Sequence, residues 1–208
     1  MSETDESNLN AAEDVTPVRK RPRPGERRQQ ILQTLASMLE RPGAERVTTA
    51  SLAAKIGVSE AALYRHFASK AQMFEGLIDF VDQSVIGLIR QVTDREPAGP
   101  NQAARIVTLL LQFAEKNPGM CRVMTGDALV LEHERLQDRI NLLFDKIEAQ
   151  LRQSLREVNA ASSTPTVDTQ VQASVLVAIM QGRLQRFVRS GFKRLPSEHL
   201  QAALARVL

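Results

Sequence analysis

The stretch from Thr48 to Phe67, TTASLAAKIGVSEAALYRHF, constrains the fold of this chain more tightly than any other. Leu52 and Ile56 stand four residues apart, so they share one face of a first short helix. Ala53 is small where a second helix must cross closely. Gly57 marks the turn, because a left-handed backbone costs least without a Cβ. Val58 supplies an apolar plug for that turn. Ser59 suits the N-cap of a second helix, and Glu60 puts a negative charge beside its N-terminus. Leu63 and Phe67, again four apart, face inward. That leaves Glu60, Ala61, Ala62, Tyr64, Arg65 and His66 outward. Two short helices about a glycine turn make a helix-turn-helix, whose second helix suits the major groove of DNA. A helical hairpin buried in an all-α core shares the spacing, but has no use for so many hydrogen-bonding side chains on its outer face.

The placement of charge agrees. The formal net charge is only +3, yet residues 1–16 carry five acids (Glu3, Asp5, Glu6, Glu13, Asp14) and no base. Residues 17–70 carry eleven bases against four acids, and residues 71–208 are near balance. Positive charge therefore gathers on and just before the helix-turn-helix, as a phosphate-binding module requires. A hydrophobic content of 43% in 208 residues is enough to build the core of one or two domains. Aromatics make up 4% with no Trp, while Ala, Leu, Gln and Arg abound, a helical composition. No run approaches the roughly 18 apolar residues of a membrane span. Met1 to Asp14 lacks the apolar stretch of a signal peptide. The lone Cys121 excludes an intrachain disulfide and fits a cytoplasmic setting. It reads as a packed thiol rather than a nucleophile.

The rest of the pattern is helical too. Residues 1–24, polar and with Pro17, Pro22 and Pro24, read as a disordered acidic-then-basic arm. Its Arg19-Lys20-Arg21-Pro22-Arg23 run suits a phosphate backbone or a minor groove, and equally a solvated tail. A first helix is expected over 25–40, stopped by Arg41-Pro42-Gly43. Thr48 or Thr49 caps the second. Ser69 opens the fourth, with Gln72 placed for a capping box. That helix extends to about Val92 with apolar residues on more than one face, so it must touch both the helix-turn-helix and a second layer. Residues 94–100 break the chain. Helices are then expected over 102–116, around 122–131, over a long amphipathic stretch from Leu136 to Leu155, from Val171 to Val188, and from Ser197, with 159–166 as a loop. The fold class is all-α.

A single helix-turn-helix touches few base pairs, so such proteins usually pair on palindromes. The apolar stripes of the two long C-terminal helices suit a four-helix interface with a second copy, and packing within one chain accounts for them as well. No catalytic or metal motif stands out. His66, His133 and His199 are scattered, and Glu132-His133-Glu134 reads as a solvated helix start. No metal, cofactor or catalytic residue is expected.

The pattern Val58-Ser59-x-x-x-Leu63-Tyr64-x-His66-Phe67-x-Ser69-Lys70 resembles the signature of the TetR family, and the resemblance is specific over residues 25–85. It implies a DNA-binding head over 25–85 and a helical dimerisation and regulatory domain over 86–208. Tyr64, His66 and Lys70 match positions that meet DNA, largely its phosphates, and the start of the third helix reads bases. The candidate DNA contacts are therefore Thr48, Thr49, Ser59, Glu60, Ala61, Ala62, Tyr64, Arg65, His66 and Lys70.

A narrower resemblance covers most of residues 26–195. It is carried by Thr48-Thr49-Ala50, Glu60 to Phe67, Asn117-Pro118-Gly119, Leu136-Gln137-x-Arg139-Ile140-Asn141, Ile147 to Gln153 and Arg186 to Ser190. These pieces are similar to the branch of the family that acts in nucleoid occlusion. That likeness implies a homodimer, or a dimer of dimers, on chromosomal palindromes. There it would engage the tubulin-like GTPase FtsZ and block septum assembly, with no small-molecule ligand required. Phe80, Leu109, Lys116 and Asn117 match the FtsZ-facing positions, with core packing an equal reading of Phe80 and Leu109. Leu88 and Gln112 depart from the branch, which has arginine and glycine there. The alternative is a ligand-responsive repressor of a nearby operon, which needs an apolar pocket that seven Phe and one Tyr would line sparsely.

Overall fold

A computed structural model describes residues 25–41, 46–159 and 168–208. The arm over 1–24 and the Pro42-Gly43 stop lie outside the described residues, as does the loop expected over 159–166 except for Asn159, which is helical at the end of α7. The described regular structure is helical: α1 Glu26–Leu39, α2 Thr49–Ile56, α3 Glu60–Tyr64, α4 Lys70–Thr93, α5 Pro100–Lys116, α6 Pro118–Met124, a 3₁₀ turn Asp127–Leu129, α7 Glu134–Asn159, α8 Thr169–Arg189 and α9 Leu200–Leu204.

Helix α4 is the spine. Met73, Phe74, Leu77, Ile78, Val81, Val85, Ile89 and Val92 are all buried along it. It packs on α1, α5, α6 and α7, so its apolar residues need more than one face. Ser69 caps it by accepting from the Gln72 N–H at 3.2 Å. The expected capping box is shifted by one residue: Gln72 Oε1 accepts from the Ala68 N–H at 2.8 Å rather than from the cap residue itself. In α7, Leu136, Ile140, Leu143, Ile147, Leu151 and Leu155 are buried, as the stripe requires. They are covered within the one chain, by the packing of α7 on α4, α5 and α8.

Three boundaries differ from expectation, each for a local reason. Helix α5 starts at Pro100 rather than Gln102, because proline at the first helical position needs no N–H partner and already has a helical φ. The next helix occupies Pro118–Met124 instead of 122–131. Pro118 begins it in the same way, and Gly126 at φ 75° breaks it into the 3₁₀ turn. The last helix starts at Leu200 rather than Ser197. The Ser197 N–H is taken by Glu115 Oε1 at 2.6 Å, and His199 adopts a left-handed φ of 54°.

Helix α1, on which α2 packs, is held to the later helices by a close approach of α6. A Cβ on Gly119 would lie 2.2 Å from the Ala36 carbonyl oxygen, so only glycine lets these two helices meet at this distance. Arg122 reinforces the seam, donating from Nη1 to the Leu39 carbonyl at 3.4 Å at the end of α1. Gly119→Ala should therefore force α6 off α1 and lower stability by about 1–3 kcal/mol, read from the midpoint of urea unfolding. An unchanged midpoint would mean the seam relaxes without cost.

Candidate nucleic-acid interface

Each turn of the helix-turn-helix is fixed by its own sequence. Thr48 caps α2: its side chain accepts from the Ser51 N–H at 3.1 Å, and Ser51 Oγ accepts from the Thr48 N–H at 3.1 Å. This is a reciprocal capping box with serine in the usual Glu/Gln place. Gly57 closes α2 at φ 77°, ψ 42°, with its N–H donating to the Ala53 and Ala54 carbonyls. Ser59 caps α3 by accepting from the Ala62 N–H. Leu52, Ala53, Leu63 and Phe67 are buried, and the Arg28 guanidinium sits 4.5 Å over the Phe67 ring.

The outward face is as expected. Glu60, Ala61, Tyr64, Arg65 and His66 are exposed and Ala62 is half-buried. Thr48 and Ser59 spend their side-chain oxygens on capping. Thr49 Oγ1 donates to Glu60 Oε2 at 2.5 Å, so these two candidate contacts brace α2 against α3 across the turn. This contact also satisfies the one carboxylate in the first turn of α3.

Lys70 stands apart from this open face. Its Nζ is 2.5 Å from Glu132 Oε1, and the side chains are only 20% and 7% exposed respectively. Arg46 Nε reaches the same oxygen at 3.2 Å, and Arg46 Nη2 donates to the Leu131 carbonyl at 2.8 Å. Glu132 is therefore not part of a solvated helix start. Its carboxylate turns inward to the largely covered Lys70, and the more exposed Arg46, 53% open to solvent, reaches it from the surface side. Sequence reasoning missed both Arg46 and Glu132; a partner 62 residues away leaves no local signal. Below this contact, α4 and α7 are joined by Glu75–Arg135 at 2.7 Å, Asp79–Arg139 and Asp82–Lys146 at 2.9 Å.

The second candidate set lies on α4 and α5, which pack together. Phe80 is 47% exposed, so it is not a core residue. Leu109 is half-buried against the core, with Leu88 and Phe113 also partly covered. Lys116 is exposed at the end of α5. Asn117 donates from Nδ2 to the Phe113 carbonyl at 2.7 Å and so closes that helix.

Residues 31–77 match the model for bacterial regulatory proteins of the tetR family, and residues 101–206 match the SlmA-like model for tetracyclin repressor-like C-terminal domains. The chain is 51% identical over 177 residues to the nucleoid occlusion factor SlmA of Idiomarina loihiensis, covering 85% of this chain and 90% of that protein. It is 53% identical over 174 residues to SlmA of Vibrio cholerae serotype O1, covering 82% and 88%. The chain belongs to the TetR family, in its SlmA branch. The family is one of DNA-binding regulators, not of enzymes. Solved TetR-type structures share the fold at low identity. The fatty acid degradation regulator FadR from Bacillus halodurans aligns with a TM-score of 0.74 at 15% identity, over 88% of this chain and 95% of that one. The regulator PfmR from Thermus thermophilus aligns at 0.69 and 20%, over 87% and 95%. Among the described residues of this TetR-family chain, no helix is long and apolar enough to cross a membrane, and no cluster of three or more ionisable side chains is placed to hold a metal ion.

Cys121 is fully buried, its Sγ 3.9 Å from the Leu184 carbonyl. Burial, helped by Asp127, pushes its thiol up to about 12. The thiolate is scarce at neutral pH, and the side chain packs as a small apolar group. In the folded protein at pH 8 it should resist iodoacetamide and react only on unfolding in denaturant. Rapid native labelling, read by mass spectrometry, would contradict this burial.

Proposed function

We propose that this chain is a nucleoid occlusion factor that works from the cytoplasm on chromosomal DNA. The observation that carries the reading is identity of about half to SlmA proteins over more than four-fifths of the chain, body as well as helix-turn-helix. The head, taken as residues 25–85, docks α3 in the major groove through Ala61, Ala62, Tyr64, Arg65 and His66. Thr48, Thr49, Ser59, Glu60 and Lys70 complete the contact set. Sequence selectivity comes from the start of α3, and affinity from the phosphates.

The working unit is a homodimer on a palindrome. The buried α7 stripe is already covered within the chain, so it is not the dimer face. Leu142 on α7 with Val171 and Val175 on α8 remain exposed. Ala178 and Gly182 continue the α8 row at helical spacing, and a Cβ on Gly182 would meet open space. Small residues in that row let a second α8 approach closely.

On DNA, the dimer presents Phe80, Leu109, Lys116 and Asn117 to FtsZ and blocks septum assembly over the nucleoid. The exposure of Phe80 supports this: a large aromatic that the monomer leaves half in water has burial energy to give to a partner. Leu88 and Gln112, on the same two helices, shape a footprint that differs from relatives with arginine and glycine there. The opposing reading is a repressor released by a small molecule. The cavity of about 320 Å³ between α6, α7 and α8 that it would use is rich in amides, with Gln137, Asn141, Gln181 and Gln185 beside Ile140 and Phe144.

A map of where the protein sits on the chromosome in living cells separates the two readings. Dozens of sites, sparse around the replication terminus, are expected, whereas one or two sites beside a single operon would sink the nucleoid occlusion reading. Phe80→Ala should weaken capture of purified FtsZ by the DNA-bound protein severalfold, with DNA affinity unchanged. FtsZ capture at full strength in a pelleting assay would remove α4 from the partner surface.

A further inference from the structure

We propose that Glu132 is a counter-ligand for the DNA-facing cations: it holds Lys70 and Arg46 on the protein, and nucleic acid binding exchanges its carboxylate for a backbone phosphate. The inference rests on the reading of Lys70 as a phosphate contact.

Three observations carry it. Glu132 Oε1 is shared by Lys70 Nζ at 2.5 Å and Arg46 Nε at 3.2 Å. The Lys70 side chain is mostly covered, and its ammonium lies 5.6 Å from the Phe74 ring centroid, so it is turned toward the protein rather than outward. The trio of two cations and one anion keeps one positive charge, which attracts a phosphate but has already spent part of its pull. A carboxylate and a phosphate oxygen present the same acceptor to an ammonium. With Glu132 shielded from water and salt, its competition is stronger than that of an exposed side chain. The four-carbon stem of lysine lets the ammonium swing from one acceptor to the other.

The exchange has a consequence for the body. Glu132 and Leu131 lie in the connection between the 3₁₀ turn and α7, and Arg46 holds that connection through the Leu131 carbonyl as well. Val130 and Leu131 are exposed, so the segment is restrained by these polar bonds together with the Glu132 N–H donating to the Leu129 carbonyl at 2.9 Å. Withdrawal of both cations toward DNA loosens the entry to α7. Reciprocally, anything that fixes residues 130–133 changes affinity for DNA, because binding free energies are coupled in both directions.

The test is a salt series of binding titrations with a mixed-sequence DNA duplex, which reads phosphate contacts without a known operator. The wild type is compared with Glu132→Gln, Lys70→Ala and the double variant. Glu132→Gln should bind severalfold more tightly at low salt, because no ion pair is broken on binding. Its slope of log K against log salt should stay close to wild type, since Lys70 reaches the same phosphate in both, and Lys70→Ala should be shallower by about 0.9. The gain should vanish in the Lys70→Ala background. A Glu132→Gln variant that binds equally or more weakly overturns the counter-ligand role while leaving Lys70 a contact, provided Lys70→Ala is itself weakened. Wild-type affinity and slope in Lys70→Ala remove the reading beneath the proposal. A gain that persists in the double variant means bulk charge alone, and also overturns it. Hydrogen exchange on the wild type needs no variant to fold: faster exchange over residues 130–134 on adding the duplex is expected, and unchanged or slower exchange refutes the release.

Discussion

Burial of the apolar flank of α4 is the interaction on which the other helices depend. Met73, Phe74, Leu77, Ile78, Val81, Val85, Ile89 and Val92 leave water along a single helix. Each large side chain contributes about 1.5–3 kcal/mol of transfer free energy. Helix α4 packs on α1 as well as on α5 and α7, as α6 does on α1, α5 and α8. Its first turn, at Ser69 and Lys70, follows the helix-turn-helix, and its later turns pack on α5 and α7. The orientation of α3 is thus tied to the body through one rigid rod. The ion pairs from Glu75, Asp79 and Asp82 to α7 are partly exposed and each adds little energy. Their value is in register, since they allow one alignment of α4 along α7.

A second link runs across the α1–α6 seam. Gly119 lets the helices meet at backbone distance, and Arg122 takes up a carbonyl at the end of α1. The third is the Glu132 contact with Arg46 and Lys70. The first two are steric and apolar and do not respond to an anion. The third is electrostatic: one shielded carboxylate meets two cations from the helix-turn-helix side.

Much of this was legible from residues close in sequence. Thr48, Gly57 and Ser59 behave as their local chemistry requires, because a cap or a left-handed turn is satisfied within four residues. The α7 stripe was legible for the same reason. What covers it was not: leucines spaced for burial look alike whether the cover is the same chain or a second one. The structure shows the same chain covering the stripe, and leaves Leu142, Val171 and Val175 open instead. Phe80 and Leu109 were equally ambiguous as core or surface, and burial separates them in degree, with Phe80 exposed and Leu109 half-buried against the core. Pro100 falls in the expected break because proline cannot continue a helix, yet the same missing N–H makes it, like Pro118, a good first residue.

By itself, the sequence determined the all-helical class, the helix-turn-helix with its caps and glycine turn, the outward polar face of α3 and the gathering of positive charge around it. Each of these follows from short-range spacing or from composition. Only the tertiary structure decided that Glu132 turns inward to Lys70 and Arg46, that Thr49 braces Glu60, and that α6 meets α1 at Gly119. Those contacts join residues up to 86 positions apart. The physical reason is that a charge or a glycine carries no record of its distant partner. The partner is chosen by where the packed helices bring it, and the cost of leaving a buried charge or a steric clash unresolved then permits one arrangement.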